Sequence, residues 1–544
     1  MNVIKKLDFE IQGMTCDSCA QHVENALRSV SGVKSASVPD WKSEKAIVEA
    51  HESVNVDKLE KAVADAGYQA KLKKSKSQTE NSTNFDLMIL GGGSAGFAAA
   101  IKATDLGFNA AIVNDGKLGG TCVNIGCVPS KTLIRAMESF YQAGQHHFEG
   151  IQTMAGHINW SKVVAHKDEL IDDMRQTKYA DVLKSYPNIT LLEGRATLDG
   201  DHSLSVNGKT YRYHKLILAT GASPKIPNIP GLSETPFLTS TTALSLTELP
   251  RSLIVLGANA VGLELAQMYA RAGTHVSVIE IMPRIAPFED AAISEALHKA
   301  LVAERLRIFV NFKSTNVSFR NGRFYLSAED GTQLTADNLL VATGRRPNTT
   351  DMGLEEAGVN LGKQGEVLVD EKLQTSLPDV YAAGDITGRD MFVYVAAYAA
   401  GVAAENALVG AERTYDSQYI PRIIFTDPQL ASVGLTEAQA QEQGFQIRVS
   451  TLPMEHVPAA QVTHDHRGLI KLVVNRENDQ ILGGHIFSPN AGDMIQVLVL
   501  AMRFGISAQQ LRETMFPYLT HVEGIKLAVL GLEKDISKLS CCAG

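Results

Sequence analysis

A chain of 544 residues, 44% hydrophobic and 20% charged, is long enough to bury more than one core. Its net charge of −9 argues against a surface built for nucleic acid or for an anionic membrane. No apolar run approaches the ~18 residues of a membrane span. The opening MNVIKKLDFEIQGM lacks an apolar core followed by small residues, so the sequence predicts a cytoplasmic protein without a secretory leader. Thiols stay reduced in that compartment, which makes cysteine placement informative. All six cysteines form close pairs: Cys16/Cys19, Cys122/Cys127 and Cys541/Cys542.

Residues 1–72 read as a small α/β unit. Alternation over Leu7–Ile11 predicts a strand, and apolar spacing from Cys19 to Val30 predicts a helix. Strands at Ser35–Pro39 and Lys45–Ala50, a helix at Val56–Ala66 and a strand at Tyr68–Leu72 complete a βαββαβ order of ferredoxin type. GMTCDSC places Cys16 and Cys19 where a loop enters a helix, and a helix N-terminus favours thiolate. Two thiolates without other local ligands suit a soft ion of low coordination number. The motif resembles that of heavy-metal-associated domains, which implies carriage of monovalent copper, divalent mercury or a similar ion. Residues 73–84 (KKSKSQTENSTN) carry no apolar anchor and read as a flexible linker.

From Phe85 the pattern changes. FDLMIL predicts a buried strand running into a glycine turn, Gly91, Gly93 and Gly96, and then a helix. Such a G-x-G-x-x-G turn lets backbone approach a pyrophosphate at a helix N-terminus. Next comes GGTCVNIGCVPSK. Together these resemble the flavin-dependent pyridine-nucleotide disulfide oxidoreductases of the glutathione reductase class, over residues 85–544. The resemblance implies FAD contacts at Gly91, Gly93, Ser94, Ala95, Gly96, Gly120, Thr121, Lys131, Gly221 and Asp385. It implies that Cys122 is the interchange thiol and that Cys127 is the thiolate paired with the flavin. It places Lys131 beside the flavin N5, with Glu264 as its acidic partner. The family's ribose-binding glutamate is replaced by Asn114, followed by Asp115; either can accept from a hydroxyl.

A second unit, SLIVLGANAVGLELAQMYARAG, carries Gly257, Asn259 and Gly262, with asparagine in place of the middle glycine. Glu280 ends the following strand, where an acid bonds a ribose hydroxyl and repels a 2′-phosphate. That favours NADH, whereas the resemblance implies NADPH and Arg284 lies nearby, so the donor stays open. Gly344 is a further nucleotide contact. The family's aromatic lid falls at Ala260, which leaves the flavin face less covered.

Glutathione-type reductases hold a proton donor for their thiolate leaving group in a His-Pro-x-x-x-Glu motif. Here the segment reads Phe516-Pro517-Tyr518-Leu519-Thr520-His521, so the donor position is apolar. The chain instead ends in SCCAG, whose Cys541 and Cys542 can bind and deliver a soft ion. This whole-chain combination resembles the mercuric reductase branch of the family. The branch implies Hg(II)–thiol complexes as substrate, a homodimer whose active site is shared between subunits, and active-site tyrosines at Tyr179 and Tyr518. It implies metal ligation at Cys16, Cys19, Cys122, Cys127, Cys541 and Cys542. A thiol-disulfide reductase of the thioredoxin or glutathione reductase type is the alternative.

The predicted fold is α/β. Two Rossmann-like domains, an FAD domain (85–228 and 350–414) and an NAD(P)H domain (229–349), precede an α+β dimerisation domain (415–544). The tethered metal domain (1–72) stands before them.

Overall fold

The structure is a computed structural model and describes residues 4–51, 54–72, 83–145 and 148–538. Two compact units divide the chain, Met1–Ser82 and Thr83–Gly544.

In the first unit β1 (Ile4–Gln12), α1 (Asp17–Arg28), β2 (Val33–Ser37), β3 (Lys45–His51), α2 (Val56–Asp65) and β4 (Gln69–Leu72) follow the predicted βαββαβ order. The antiparallel sheet runs β2-β3-β1-β4. α1 buries Ala20, Val23 and Leu27, spaced along one helical face, and α2 buries Leu59 and Val63. Both stripes join one core with Phe9, Ile11 and Val48 from the sheet. Most of the predicted linker lies outside the described residues; its last member, Asn84, already begins a strand.

The second unit starts with β5 (Asn84–Leu90), α3 (Ser94–Asp105) and β6 (Ala110–Asn114). α4 (Gly120–Ile125), α5 (Cys127–Ala143), α6 (Trp160–Arg175) and β7 (Ile189–Glu193) follow. β5, β6 and β7 pair in parallel. The apolar runs of β5 and β6 are buried on both faces, as inner strands of a parallel sheet require, while β7 is more open. Strand Lys209–Leu218 lies on the other side of β5, and Val380–Ala382 pairs with it. The chain thus returns to its first sheet after the second nucleotide fold.

The second nucleotide fold is a parallel sheet with Ser252–Leu256 at its centre, flanked by Asn338–Val341 and His275–Ile279. The last sheet, of five antiparallel strands, is packed by helices Ala491–Arg503 and Glu523–Leu530. Among the described residues no helix is long and apolar enough to cross a membrane.

α5 carries Cys127 at its first residue, and helix Ala260–Arg271 fastens it at two points. Near its start Lys131 Nζ meets Glu264 Oε2 at 2.5 Å. Near its end the Tyr141 ring lies 4.2 Å from the Arg271 guanidinium. Arg271 is itself held by Glu304 at 2.8 and 2.7 Å and by Asp427 at 2.9 Å. The helix that opens on Cys127 is therefore clamped to the second nucleotide fold along its length.

Candidate functional site

The main cleft, about 570 Å³, opens at the carboxyl ends of β5 and β6, where open α/β sheets take their ligands. The Gly91 turn shapes its floor. Gly91 has φ +121°, and a Cβ there would lie 2.2 Å from the Ala219 carbonyl oxygen. A Cβ on Gly96 would lie 1.9 Å from the Gly91 carbonyl oxygen, so α3 packs directly on the turn. Gly93 caps α3 with no side-chain hydrogen bond, which leaves the first N–H groups free for an anion. This cradle fits the pyrophosphate of FAD.

The cleft gathers Gly91, Gly93, Ser94, Ala95, Asn114, Gly120, Thr121, Gly221 and Asp385 with Cys122, Cys127, Lys131 and Glu264. Gly96 lies beneath it and does not line it. Asp385 adds a carboxylate 3.5 Å from Arg345 Nε, and burial pushes its pKa up while Arg345 opposes. Arg345, also on the cleft wall, is a residue that motif reading missed; it directly follows the predicted Gly344.

Asn114, on the cleft wall as well, also holds the glycine turn. Its Oδ1 accepts from the Gly92 N–H at 3.2 Å and its Nδ2 donates to the Gly116 carbonyl at 2.6 Å. Both halves of the amide brace the turn, while exposed Asp115 remains on the cleft wall.

The cysteines do not share one helix. Gly126, at φ −127° and ψ −111°, separates α4 from α5, so Cys122 lies within α4 and Cys127 opens α5. A Cβ at position 126 would come within 2.9 Å of the Thr121 carbonyl oxygen, which explains the glycine. The two thiols differ chemically. A hydrogen bond from Cys122 holds the Cys127 thiol well below its usual value, and Lys131 adds to the effect against burial. The same hydrogen bond, with burial, pushes Cys122 up. The contact thus favours the thiolate at Cys127 and the thiol at Cys122.

The second turn repeats the first. Gly257 has φ +108°, and a Cβ on Gly262 would lie 1.9 Å from the Gly257 carbonyl oxygen. Asn259 caps helix Ala260–Arg271 without a side-chain bond, so the helix N-terminus stays open to a pyrophosphate despite the missing glycine. Glu280 is buried and braces this turn, as Asn114 braces the first. Gly257, Asn259, Gly262, Glu280 and Gly344 surround this turn and do not line the main cleft. Gly344, at φ +111°, accepts from the Lys225 N–H.

Tyr179 sits in a π-helical turn, Gln176–Ala180, and packs edge-on against Phe97 at 4.9 Å. It borders Gly119, next to the Cys122 helix, but is not on the cleft wall. Arg175 ties that turn to α4 through Asn124 at 3.0 Å. Tyr518 is half-exposed and also away from the cleft. Phe516 packs on the core of the last sheet, where it can donate no proton. His521 is partly buried and burial lowers its pKa; its Nε2 has no hydrogen-bond partner.

In the first unit Cys16 and Cys19 bring their sulfurs to 3.0 Å at the N-terminus of α1. The hydrogen bond from Cys16 lowers Cys19 to about 6, with the Thr15 backbone and Tyr68 contributing. Cys541 and Cys542 lie outside the described residues.

Comparison with known proteins agrees with this arrangement. The model of the pyridine nucleotide-disulphide oxidoreductases matches residues 85–401, that of their dimerisation domain residues 420–529, and that of the heavy-metal-associated domain residues 8–69. A mercuric reductase of Staphylococcus aureus is 43% identical, across 98% of each chain. One from Lysinibacillus sphaericus is 40% identical, across 99% of this chain and all of its own. Among solved structures, the Cu(II) complex of the HOCl-induced flavoprotein disulfide reductase RclA from Escherichia coli superposes with TM-score 0.76 at 30% identity. It covers 84% of this chain and 100% of that one. The chain belongs to the pyridine nucleotide-disulphide oxidoreductases and, by its identity to those relatives over nearly its whole length, to their mercuric reductase family.

Proposed function

We propose that this protein reduces Hg(II) to elemental mercury with electrons from NADPH or NADH, and so detoxifies mercury. The observation that carries the reading is the pair Cys122 and Cys127 on the wall of the cleft shaped by the Gly91 turn, in a chain whose proton-donor position is Phe516. A disulfide substrate needs that donor for its leaving thiolate; a metal ion does not. When bound, FAD supplies the two-electron transfer between nucleotide and ion.

The chain's own part is ligand exchange and positioning. Cys16 and Cys19 collect the ion as thiolates. Cys541 and Cys542 of the partner subunit receive it in a homodimer built through residues 415–544. Cys122 and Cys127 then hold it in the cleft, and Tyr179 and Tyr518 stabilise it while thiolates exchange. Two electrons turn Hg(II) into Hg(0), and both thiolates are released unchanged. A reducing cytoplasm keeps all three pairs competent.

The test is nucleotide oxidation by the yellow holoenzyme with excess small thiol, with and without Hg(II). Oxidation should depend on the ion. Replacing Cys541 and Cys542 by alanine should lower turnover of thiol-complexed mercury by about 10²-fold, the scale of a lost positioning contribution. Flavin reduction by nucleotide should be unchanged. Oxidation independent of mercury would reject the reading.

A further inference from the structure

We infer that this enzyme selects NADH over NADPH and that Glu280 is the selecting group. The inference rests on the reading of the second nucleotide fold as the electron-donor site. Glu280 follows strand His275–Ile279, at the carboxyl end of a parallel strand, where such folds take the adenosine ribose. Its Oε2 accepts from the Ala258 N–H at 2.9 Å and its Oε1 from the Met282 N–H at 3.0 Å. Both bonds hold the carboxylate at the crevice.

The first nucleotide turn shows that this brace needs no charge. There Asn114 accepts from the Gly92 N–H across the same 22-residue separation. A neutral amide holds one glycine turn, so the negative charge at Glu280 is not required to hold the other. The charge acts on the ligand instead: it accepts from a ribose hydroxyl and repels a 2′-phosphate. Among the described residues no cation forms an ion pair with it. Residues 280–290 contain one, Arg284. Its Nη2 donates to the carbonyls of Pro287 and Glu289 at 2.8 and 3.1 Å, so the guanidinium is folded into its own loop. Around it stand Ile281, Met282 and Phe288, exposed by 63%, 44% and 69%. That apolar rim fits an adenine ring and offers nothing to a phosphate.

The test is calorimetric titration of the FAD-loaded enzyme with ADP and with 2′,5′-ADP, alongside kcat/KM for NADH and NADPH. The unphosphorylated ligand should bind about 30-fold tighter, a modest share of what like-charge apposition costs. Glu280→Gln keeps the brace as Asn114 does and removes the charge; the preference should shrink to about threefold or less. Ile281→Arg leaves Glu280 in place and should strengthen binding of 2′,5′-ADP. Equal or tighter binding of 2′,5′-ADP by the wild type would overturn the inference, as would an unchanged ratio in Glu280→Gln. If NADPH wins while mercury-dependent oxidation persists, selectivity alone fails. If neither nucleotide binds, the assignment of the donor site fails with it.

Discussion

Replacing Cys127 by serine should lower mercury-dependent nucleotide oxidation by at least about 10³-fold, because it removes the cleft thiol that is held below its usual value. The asymmetry of the pair makes the prediction directional. Cys127 is held down chiefly by the hydrogen bond from Cys122, while Cys122 is pushed up by the same contact. A serine at 122 can still donate to Cys127, so the thiolate persists but the ion loses one of two ligands. An alanine at 122 removes the donor as well, and the Cys127 titration should move upward. Turnover should therefore fall in all three variants. The part of the thiolate ultraviolet absorbance that belongs to the cleft pair should survive in Cys122→Ser, weaken in Cys122→Ala and be lost in Cys127→Ser, while the Cys19 contribution stays in all three. Equal absorbance in all three would show that Cys122 does not hold the Cys127 thiol down.

The second large effect should come from the Lys131–Glu264 pair. Glu264 keeps only 5% of its side chain exposed; Oε1 accepts from the Phe425 N–H at 2.9 Å and Oε2 meets Lys131. Lys131→Met strands that carboxylate and should cost about 3 kcal/mol, at the low end for a broken buried pair because Lys131 itself is partly exposed. Urea unfolding of the flavin-loaded protein measures this. The same change removes a cation that lowers Cys127. A depressed thiol is thiolate above its folded value and thiol below it. Losing Lys131 should therefore move the midpoint upward, within the window from about 6 to the ordinary 9.0. The double variant Lys131→Met/Glu264→Gln separates the two roles. Stability should return, because the amide still accepts from Phe425 and carries no charge. The thiol midpoint should come back only part of the way, because Lys131 lowers Cys127 by more than Glu264 raises it. A midpoint left unmoved in the single variant Lys131→Met would make Lys131 a structural residue only.

Much of this site was readable because its motifs are local. The Gly91 and Gly257 turns, the helices they open and the cysteine pairs each lie within a few consecutive residues. The βαββαβ order of residues 4–72 followed from period alone. What could not be read depends on contacts between distant segments. Asn114 looked like a displaced ribose ligand; only the return of β6 to the Gly92 turn shows it as a brace. The break at Gly126 depends on the backbone of Thr121 crowding it, which no propensity records. Tyr179 read as an active-site tyrosine from the resemblance alone; the π-helical turn that sets its ring against Phe97 and Gly119 left no sign in the sequence. The clamp of α5 onto helix Ala260–Arg271 joins residues more than a hundred positions apart; its Lys131–Glu264 half was expected from the resemblance alone, and its Tyr141–Arg271 half left no local trace.

The central claim is that the cleft delivers electron pairs to a metal ion and not to a disulfide. The most direct measurement follows elemental mercury leaving a sealed reaction of holoenzyme, reduced nucleotide, excess thiol and labelled Hg(II), with nucleotide oxidation recorded in parallel. The account predicts one volatile mercury atom for each nucleotide oxidised, and only marginal oxidation when glutathione disulfide replaces the ion. Brisk oxidation by the disulfide, with mercury remaining in solution, would contradict it.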